Sequence, residues 1–564
     1  MKRLLGLCLL AAVSGVAGQQ TGNHPEWDRW CGKVYKAGFP SFDPGGQTHP
    51  PAPVPGGPLL DVQFRPRYSL YLDNEAAGEF IVNAPVQQFF GQPLPDSVSS
   101  STTSKFTFTI TAGSTTLVNA TVPLNTTGTL HPFQLSLLTP SLSPIPLLLT
   151  GTVGSATWTA NTTLLYLPIK PSGSVTRIDN LLGGLYFSNT RSSHIFEPFF
   201  PYGFYASFDG FLANVSATNT TLIDAYSGLG LNAMTPLTIY RDAAPALEYM
   251  DQINLKFMYD LREGYKNLSY VAEQALAARD AEAIFAYWSA DEPDGWQDPF
   301  SAPVDAQQVL HELDPYHPVG VVLNCQDYYF REYSAGADII MEDVYPIGIN
   351  ASYSKWGTAC NTTLGDCGCD NCLGVGPGDV SKRLDDLSKH ERWLNLWPKT
   401  KIHNPQSFSG EGYWGRDPTP EEEWAMVLSA VNHGAKGMVS WVWPASLVLG
   451  EAHGKLAGVL TREPVVGFVV AGDGGRKVET GTEGVDVAVW ERGGKVLVSV
   501  VNGGYEDVGR VEVEVRGARA IASVPWGDGS GWKLEGGKFS VDGLKGLEST
   551  LLILDVGGCG KKKA

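Results

Sequence analysis

From about Glu197 onward, short apolar runs alternate with amphipathic stretches, the pattern of parallel strand–helix units. Strands are predicted over 199–208, 233–240, 255–260, 283–291, 319–324, 337–343, 401–404 and 437–443. Helices are predicted between them, over 221–228, 244–254, 268–279, 304–313, 328–334, 380–393 and 420–433. The helix at 420 has the clearest start in the chain: Thr419 can cap it, Pro420 fits the first turn, and Glu422 completes a capping box. Gly434 stops it. Eight such units over about 260 residues match the size of a (β/α)8 barrel. A doubly wound open sheet is the rival, but no Gly-x-Gly-x-x-Gly opens a helix after the first strand.

On either side the period changes to two. Phe106-Thr-Phe-Thr-Ile-Thr-Ala alternates apolar and hydroxyl residues. Thr115 to Val122, Pro132 to Leu138 and Ala156 to Leu167 continue in that style, reading as a β-sandwich. Val485 to Glu491, Val496 to Asn502, Arg510 to Arg516 and Leu551 to Val556 read as a second small β-domain, a C-terminal sandwich. Leu147–Leu149 and Val465–Val470 are apolar runs of core-strand length, too short to span a bilayer.

The expected division is a signal peptide over 1–18 and a lead with a Pro/Gly linker over 19–58. A β-sandwich over 59–180, the barrel over 181–455, a C-terminal β-domain over 456–557 and a tail over 558–564 complete it. Lys2-Arg3, the apolar run from Leu4 and the small residues to Gly18 carry the signal-peptide reading. The tail lacks the apolar segment of a glycolipid-anchor signal.

Composition adds limits. Net charge is −18, which disfavours nucleic acid, whose phosphates need a basic patch. Eight Asn-x-Ser/Thr sequons, at Asn119, Asn125, Asn161, Asn214, Asn219, Asn267, Asn350 and Asn361, go with a secreted, extracellular glycoprotein. Four of the cysteines fall between Cys360 and Cys372. In an oxidising compartment they read as two local disulfides pinning a loop rather than a metal knot. Cys559 reads as the leftover thiol, with Cys31 as its alternative partner. No metal or cofactor signature is found, no membrane partner is expected, and the chain is expected to be a monomer.

The chemistry gathers at the predicted C-terminal ends of the strands. The apolar run Ile284-Phe-Ala-Tyr-Trp-Ser-Ala ends abruptly in Asp291-Glu292-Pro293-Asp294-Gly295-Trp296. Around the same rim fall Asp209, Asp260, Asn324, Glu342, Asp343, Tyr345, Gln406, Trp296 and Trp443. Acids, amides and flat aromatic rings without a nucleotide signature suit a sugar site. Cleaving an acetal needs one protonated carboxyl to assist the leaving oxygen, and a second group to attack or to activate water. Asp294-Gly295 reads as an ordinary turn dipeptide. Trp288, Trp393, Trp397 and Trp424 read as core, and His403 as a hydrogen-bonded rim residue.

A carboxyl after strand four in Asp-Glu-Pro, an Asp-x-Tyr-Pro after strand six and a Trp-rich strand eight resemble secreted glycoside hydrolases of the (β/α)8 type, in a fungal style. The resemblance covers roughly residues 195 to 450 and implies that Glu292 is the general acid. It departs from the common retaining pattern: strand four lacks Asn-Glu, and strand seven reads Ile402-His-Asn-Pro-Gln-Ser-Phe-Ser-Gly with no Glu until Glu411. Three completions stay open. Asp343, or its neighbour Glu342, is base or nucleophile; strand alternation lets only one face inward, and Asp343 is favoured because Asp-x-Tyr-Pro recurs in similar barrels. Asp291 assists Glu292, as in substrate-assisted hexosaminidases. Or Glu411 attacks from a loop. The implied partner is a poly- or oligosaccharide substrate. The competing class is a non-catalytic carbohydrate-binding or cell-wall protein on a degenerate barrel.

Overall fold

A computed structural model describes residues 29–34, 38, 43, 45, 46, 49–95, 98 and 104–557. The predicted leader and Cys559 lie outside the described residues.

At the centre is a closed eight-stranded parallel barrel. Its strands are β1 (Tyr202–Ala206), β2 (Ala233–Pro236), β3 (Lys256–Asp260), β4 (Ile284–Asp291), β5 (Val319–Leu323), β6 (Ile339–Glu342), β7 (Thr400–His403) and β8 (Ala435–Trp443). The helices that follow them are α1 (Thr221–Gly228), α2 (Tyr240–Ile253), α3 (Leu268–Ala278), α4 (Ser301–Leu313), α5 (Phe330–Ser334), α6 (Pro377–Trp393), α7 (Pro420–Asn432) and α8 (Leu447–Leu460). The capping box at α7 forms as expected: the Glu422 amide donates to Thr419 Oγ1 and the Thr419 amide to the Glu422 carboxylate.

The barrel interior is packed, not hollow. Tyr205, Met258, Ala286, Trp288, Val322, Ile339, Met341, Ile402 and Val439 fill it. A three-stranded antiparallel sheet closes the N-terminal end of the strands, formed by Val175–Ile178, Leu185–Ser188 and Glu197–Phe199. Phe199 meets Phe285, at the start of β4, edge to face. This plug leaves the opposite rim as the open mouth, where chemistry sits in barrels of this kind.

A β-sandwich precedes the barrel. Five-stranded and three-stranded sheets share one core in which Phe80, Val82 and Phe133 of the smaller sheet meet Phe106, Phe108, Leu149 and Trp158 of the larger. A five-stranded and a three-stranded sheet also make up the C-terminal part. One face of its larger sheet carries Ala488, Trp490, Leu497 and Ile553 into the same core as the barrel helices.

Three local expectations are corrected. The apolar run at Val465–Val470 is not a strand but part of α9 (Val465–Ala471), and α8 also occupies chain expected to have reverted to period two. Val465 to Val470 are buried without interruption, so the run carries no polar stripe to separate helix from strand. The predicted first strand splits: Glu197–Phe199 joins the plug, and only Tyr202–Ala206 enters the barrel. Cys31 pairs neither with Cys559 nor with nothing; it bonds Cys325, 294 positions away. The cysteine-rich loop holds two local disulfides, as expected, and they pair Cys360 with Cys367 and Cys369 with Cys372.

Candidate active site

Strand β4 is buried from Ile284 to Ala290 and then releases its acids at the mouth. Glu292 takes a left-handed φ of 47°, which a side-chain-bearing residue adopts only when its surroundings over-determine it. Its amide donates to Val322 O at 3.1 Å, and its carbonyl accepts from the Trp296 amide at 3.0 Å. The next turn is locked by Asp294, only 1% exposed. This carboxylate accepts from the amides of Gly295 (2.9 Å), Asn324 (3.2 Å) and Cys325 (2.8 Å). The dipeptide read as an ordinary turn is therefore a clamp joining the end of β4 to the end of β5.

Asn324 is the centre of the site. Its Nδ2 donates to Glu292 Oε1 at 3.0 Å and to Asp343 Oδ1 at 3.3 Å. Its Oδ1 accepts from Trp30 Nε1 at 2.7 Å. Glu292 and Asp343 also share a hydrogen bond with each other. Alternation along β6 explains why Asp343 takes part and Glu342 does not. Ile339 and Met341 point into the barrel, Ile340 and Val344 toward the helices. Glu342 follows the outward set and bonds His403 Nδ1 at 2.5 Å, both side chains fully buried.

The site concentrates negative charge. Burial, then the Asp343 charge and the bond to it, raise Glu292 well above the usual carboxyl range. Burial pushes Asp343 to about 8, against the Glu292 bond, which pulls it down. Held this close and out of water, the two carboxyls cannot both carry a charge near neutral pH, so one of them keeps its proton. Asp291 is also raised, by burial first and then by the Glu292 charge. Its side chain keeps 33% of its surface exposed, so solvent moderates its shift far more than that of Asp343, 4% exposed. Arg262 Nη1 stands 3.6 Å from Asp291, and its Nε 3.4 Å from Asp260.

These groups line a cleft of about 410 Å³. Trp30, Trp296, Tyr345, Phe408, Trp414 and Trp441 supply its aromatic walls, and Asn404, Asp366 and Glu411 its further polar groups. The Asn404 amide donates to Tyr205 Oη at 3.1 Å, while its buried Oδ1 has no protein partner. Glu411 sits on an exposed turn with φ 54°.

The structure thus brings together Asp291, Glu292, Trp296, Asn324, Asp343 and Tyr345 from the expected set. It places the others elsewhere. Asp209 is exposed on the loop after β1, outside the cleft. Asp260 lines a neighbouring pocket of about 900 Å³ with Arg241, Arg262 and Tyr270. Gln406 is fully buried, and its amide braces Ile347 through N–H and C=O at 2.9 and 3.0 Å. Trp443 packs against Phe204, Phe211 and Tyr226, behind the barrel wall. Trp441 holds the cleft position instead, because inward–outward alternation breaks after it. Trp30 had no local signal in the sequence. Asp366 had a weak one, its place inside the cysteine-rich loop, and Trp414 only its nearness to Glu411. Among the described residues no group of His, Cys, Asp and Glu is arranged to hold a metal ion.

No protein-family model and no curated protein matches the chain. Among solved structures, a debranching enzyme from Nostoc punctiforme superposes with a TM-score of 0.40 at 12% identity, covering 62% of this chain and 98% of that one. An endoxylanase from Clostridium papyrosolvens gives 0.39 at 10% identity, covering 64% and 97%. A beta-glucuronidase from an uncultured Clostridium gives 0.33 at 11% identity; the match covers 68% of this chain and 61% of that enzyme's length. The likeness to these barrels is distant and concerns the fold.

Proposed function

We propose that the protein is a secreted glycoside hydrolase acting on a poly- or oligosaccharide, with Glu292 as proton donor and Asp343 as the group that receives the second proton. One observation carries this reading: two buried carboxyls, both with raised proton affinity, meet on the wall of an aromatic cleft at the open end of the barrel. The conjunction of perturbed carboxyls, a cleft and ring platforms is what acetal hydrolysis asks for.

The roles follow from the resting geometry. Glycosidase carboxyls stand roughly 6.5–9.5 Å apart when one of them activates a water, so this pair must part when a glycan enters. A pair joined by one hydrogen bond is closer, so at rest it stores a proton. When a glycosidic oxygen replaces Asp343 as the acceptor, Glu292 gives it that proton as the C–O bond breaks. Asp343 is then left charged and without its bond, ready to take a proton from the water that adds to the anomeric carbon. Asn324 can follow both carboxylates through the change, since its Nδ2 already donates to each.

Secretion fits the molecule in two respects. All eight sequon asparagines are exposed, and three disulfides are present among the described residues. A second reading, assistance by an N-acetyl group of the substrate, is favoured by Asp291, which is adjacent to Glu292 and partly open to the cleft.

The test is release of reducing sugar or aglycone from a panel of plant and fungal polysaccharides and aryl glycosides, between acidic and neutral pH. Turnover that falls as pH rises is expected, because the donor must hold its proton. Tight binding without release across the panel would favour a non-catalytic carbohydrate-binding protein.

A further inference from the structure

The N-terminal segment is not a passive lead. Residues 29–34 form a small hairpin in which Arg29–Trp30 pairs with Lys33–Val34. It is fastened to the barrel mouth at three points. Cys31 is bonded to Cys325, the residue after Asn324. Lys33 forms a buried ion pair with Asp370 and donates to Asn371 Oδ1 at 2.9 Å, both on the cysteine-rich loop. Trp30 lies over Gly295, where an added Cβ would come within 2.3 Å of the indole, so no larger residue fits beneath it.

We infer that Trp30 is a positioning residue for the carboxyl pair, acting through the amide of Asn324. A primary amide can present either its N–H groups or its oxygen to a neighbour. With Trp30 Nε1 donating to Oδ1, the oxygen is engaged and only Nδ2 faces Glu292 and Asp343. Remove that donor and the amide is free to turn and accept a bond from a protonated carboxyl. Donation to a carboxylate favours the charged form, and acceptance from a carboxyl favours the neutral form. The disulfide holds the indole in register, so the orientation of a group in the cleft depends on a covalent tie to the far N-terminus.

The inference deepens the hydrolase reading and rests on it for its functional meaning, but its test needs no substrate. Trp30→Phe removes the N–H and trims the indole to a single ring, so the cysteine variant below, which keeps the indole, serves as its control. Titration of the carboxyl pair is followed by infrared difference spectroscopy of the full chain, with Glu292→Gln identifying the Glu292 band. The groups facing Glu292 are Asp291 and Asp294 on β4 and its turn, Asn324 after β5, and Asp343 and Tyr345 after β6. Arg262 acts through Asp291 and Arg383 through Asp343; all are unchanged in the variant. The expected result is an upward shift of the midpoint by about 0.7 pH unit, the equivalent of one net hydrogen bond. Cys31→Ser with Cys325→Ser should shift it the same way. A midpoint unmoved in both variants would overturn the inference. Absence of turnover on every glycan, with the shift present, would count against the hydrolase reading alone.

Discussion

Asp343 offers the sharpest link between charge and stability. It is 4% exposed, and the proton it shares with Glu292 is held to about pH 8 by burial, whereas in the unfolded chain both carboxyls titrate near 4. Between those values the folded protein keeps a proton that the unfolded chain has already lost. Stability therefore falls as pH rises through that window, at up to about 1.4 kcal/mol per unit for this one group. From pH 5 to pH 8 the loss amounts to about 4 kcal/mol. Asp343→Asn carries no charge to desolvate and keeps the side chain's size, so it should remove this part of the pH dependence. The wild type should melt at a lower temperature at pH 8 than at pH 5, and the variant should narrow that gap by roughly 6 °C. Scanning calorimetry at the two pH values reads it directly. Activity should disappear at the same time, the trade expected where a site is built at the expense of stability. A gap that stays the same or widens in Asp343→Asn would refute the assignment of a strained, proton-holding carboxyl at this position.

Other consequences concern the clamp and the walls. Asp294→Ala leaves the amides of Gly295, Asn324 and Cys325 without their acceptor in a buried turn. It should cost about 3 kcal/mol by denaturant titration, and a loss under about 1 kcal/mol would contradict the clamp. Trp296 is 67% exposed and meets Trp30 edge to face. Trp296→Ala should leave the melting temperature in place and raise KM about fivefold, the worth of one aromatic contact; an unchanged KM would remove it from the sugar platform.

Much of the barrel could be read from the chain because its strands are apolar and end in acids, while its helices carry clear start and stop residues such as Thr419, Pro420 and Gly434. Alternation along β6 allowed only one of Glu342 and Asp343 to face inward, and the choice between them rested on the resemblance of Asp-x-Tyr-Pro to similar barrels. Trp443 was misplaced, because the alternation that would place it inward fails after Trp441. Val465–Val470 could not be assigned to helix or strand from pattern alone, being buried on every side. Asp294 gave the signal of a turn because its partners are backbone amides from a different strand. Trp30 lay beyond reach for a related reason: what brings it to the cleft is a disulfide across 294 positions, and cysteine positions do not reveal pairing.

The most direct measurement is the turnover of Glu292→Gln beside the wild type, on whichever glycan or aryl glycoside the wild type cleaves fastest. Glutamine preserves the shape and can still meet Asn324, but has no proton to give. The proposed role requires a fall of at least about a hundredfold in kcat with the melting temperature nearly unchanged. A variant that keeps its rate within about twofold would show that the proton comes from elsewhere.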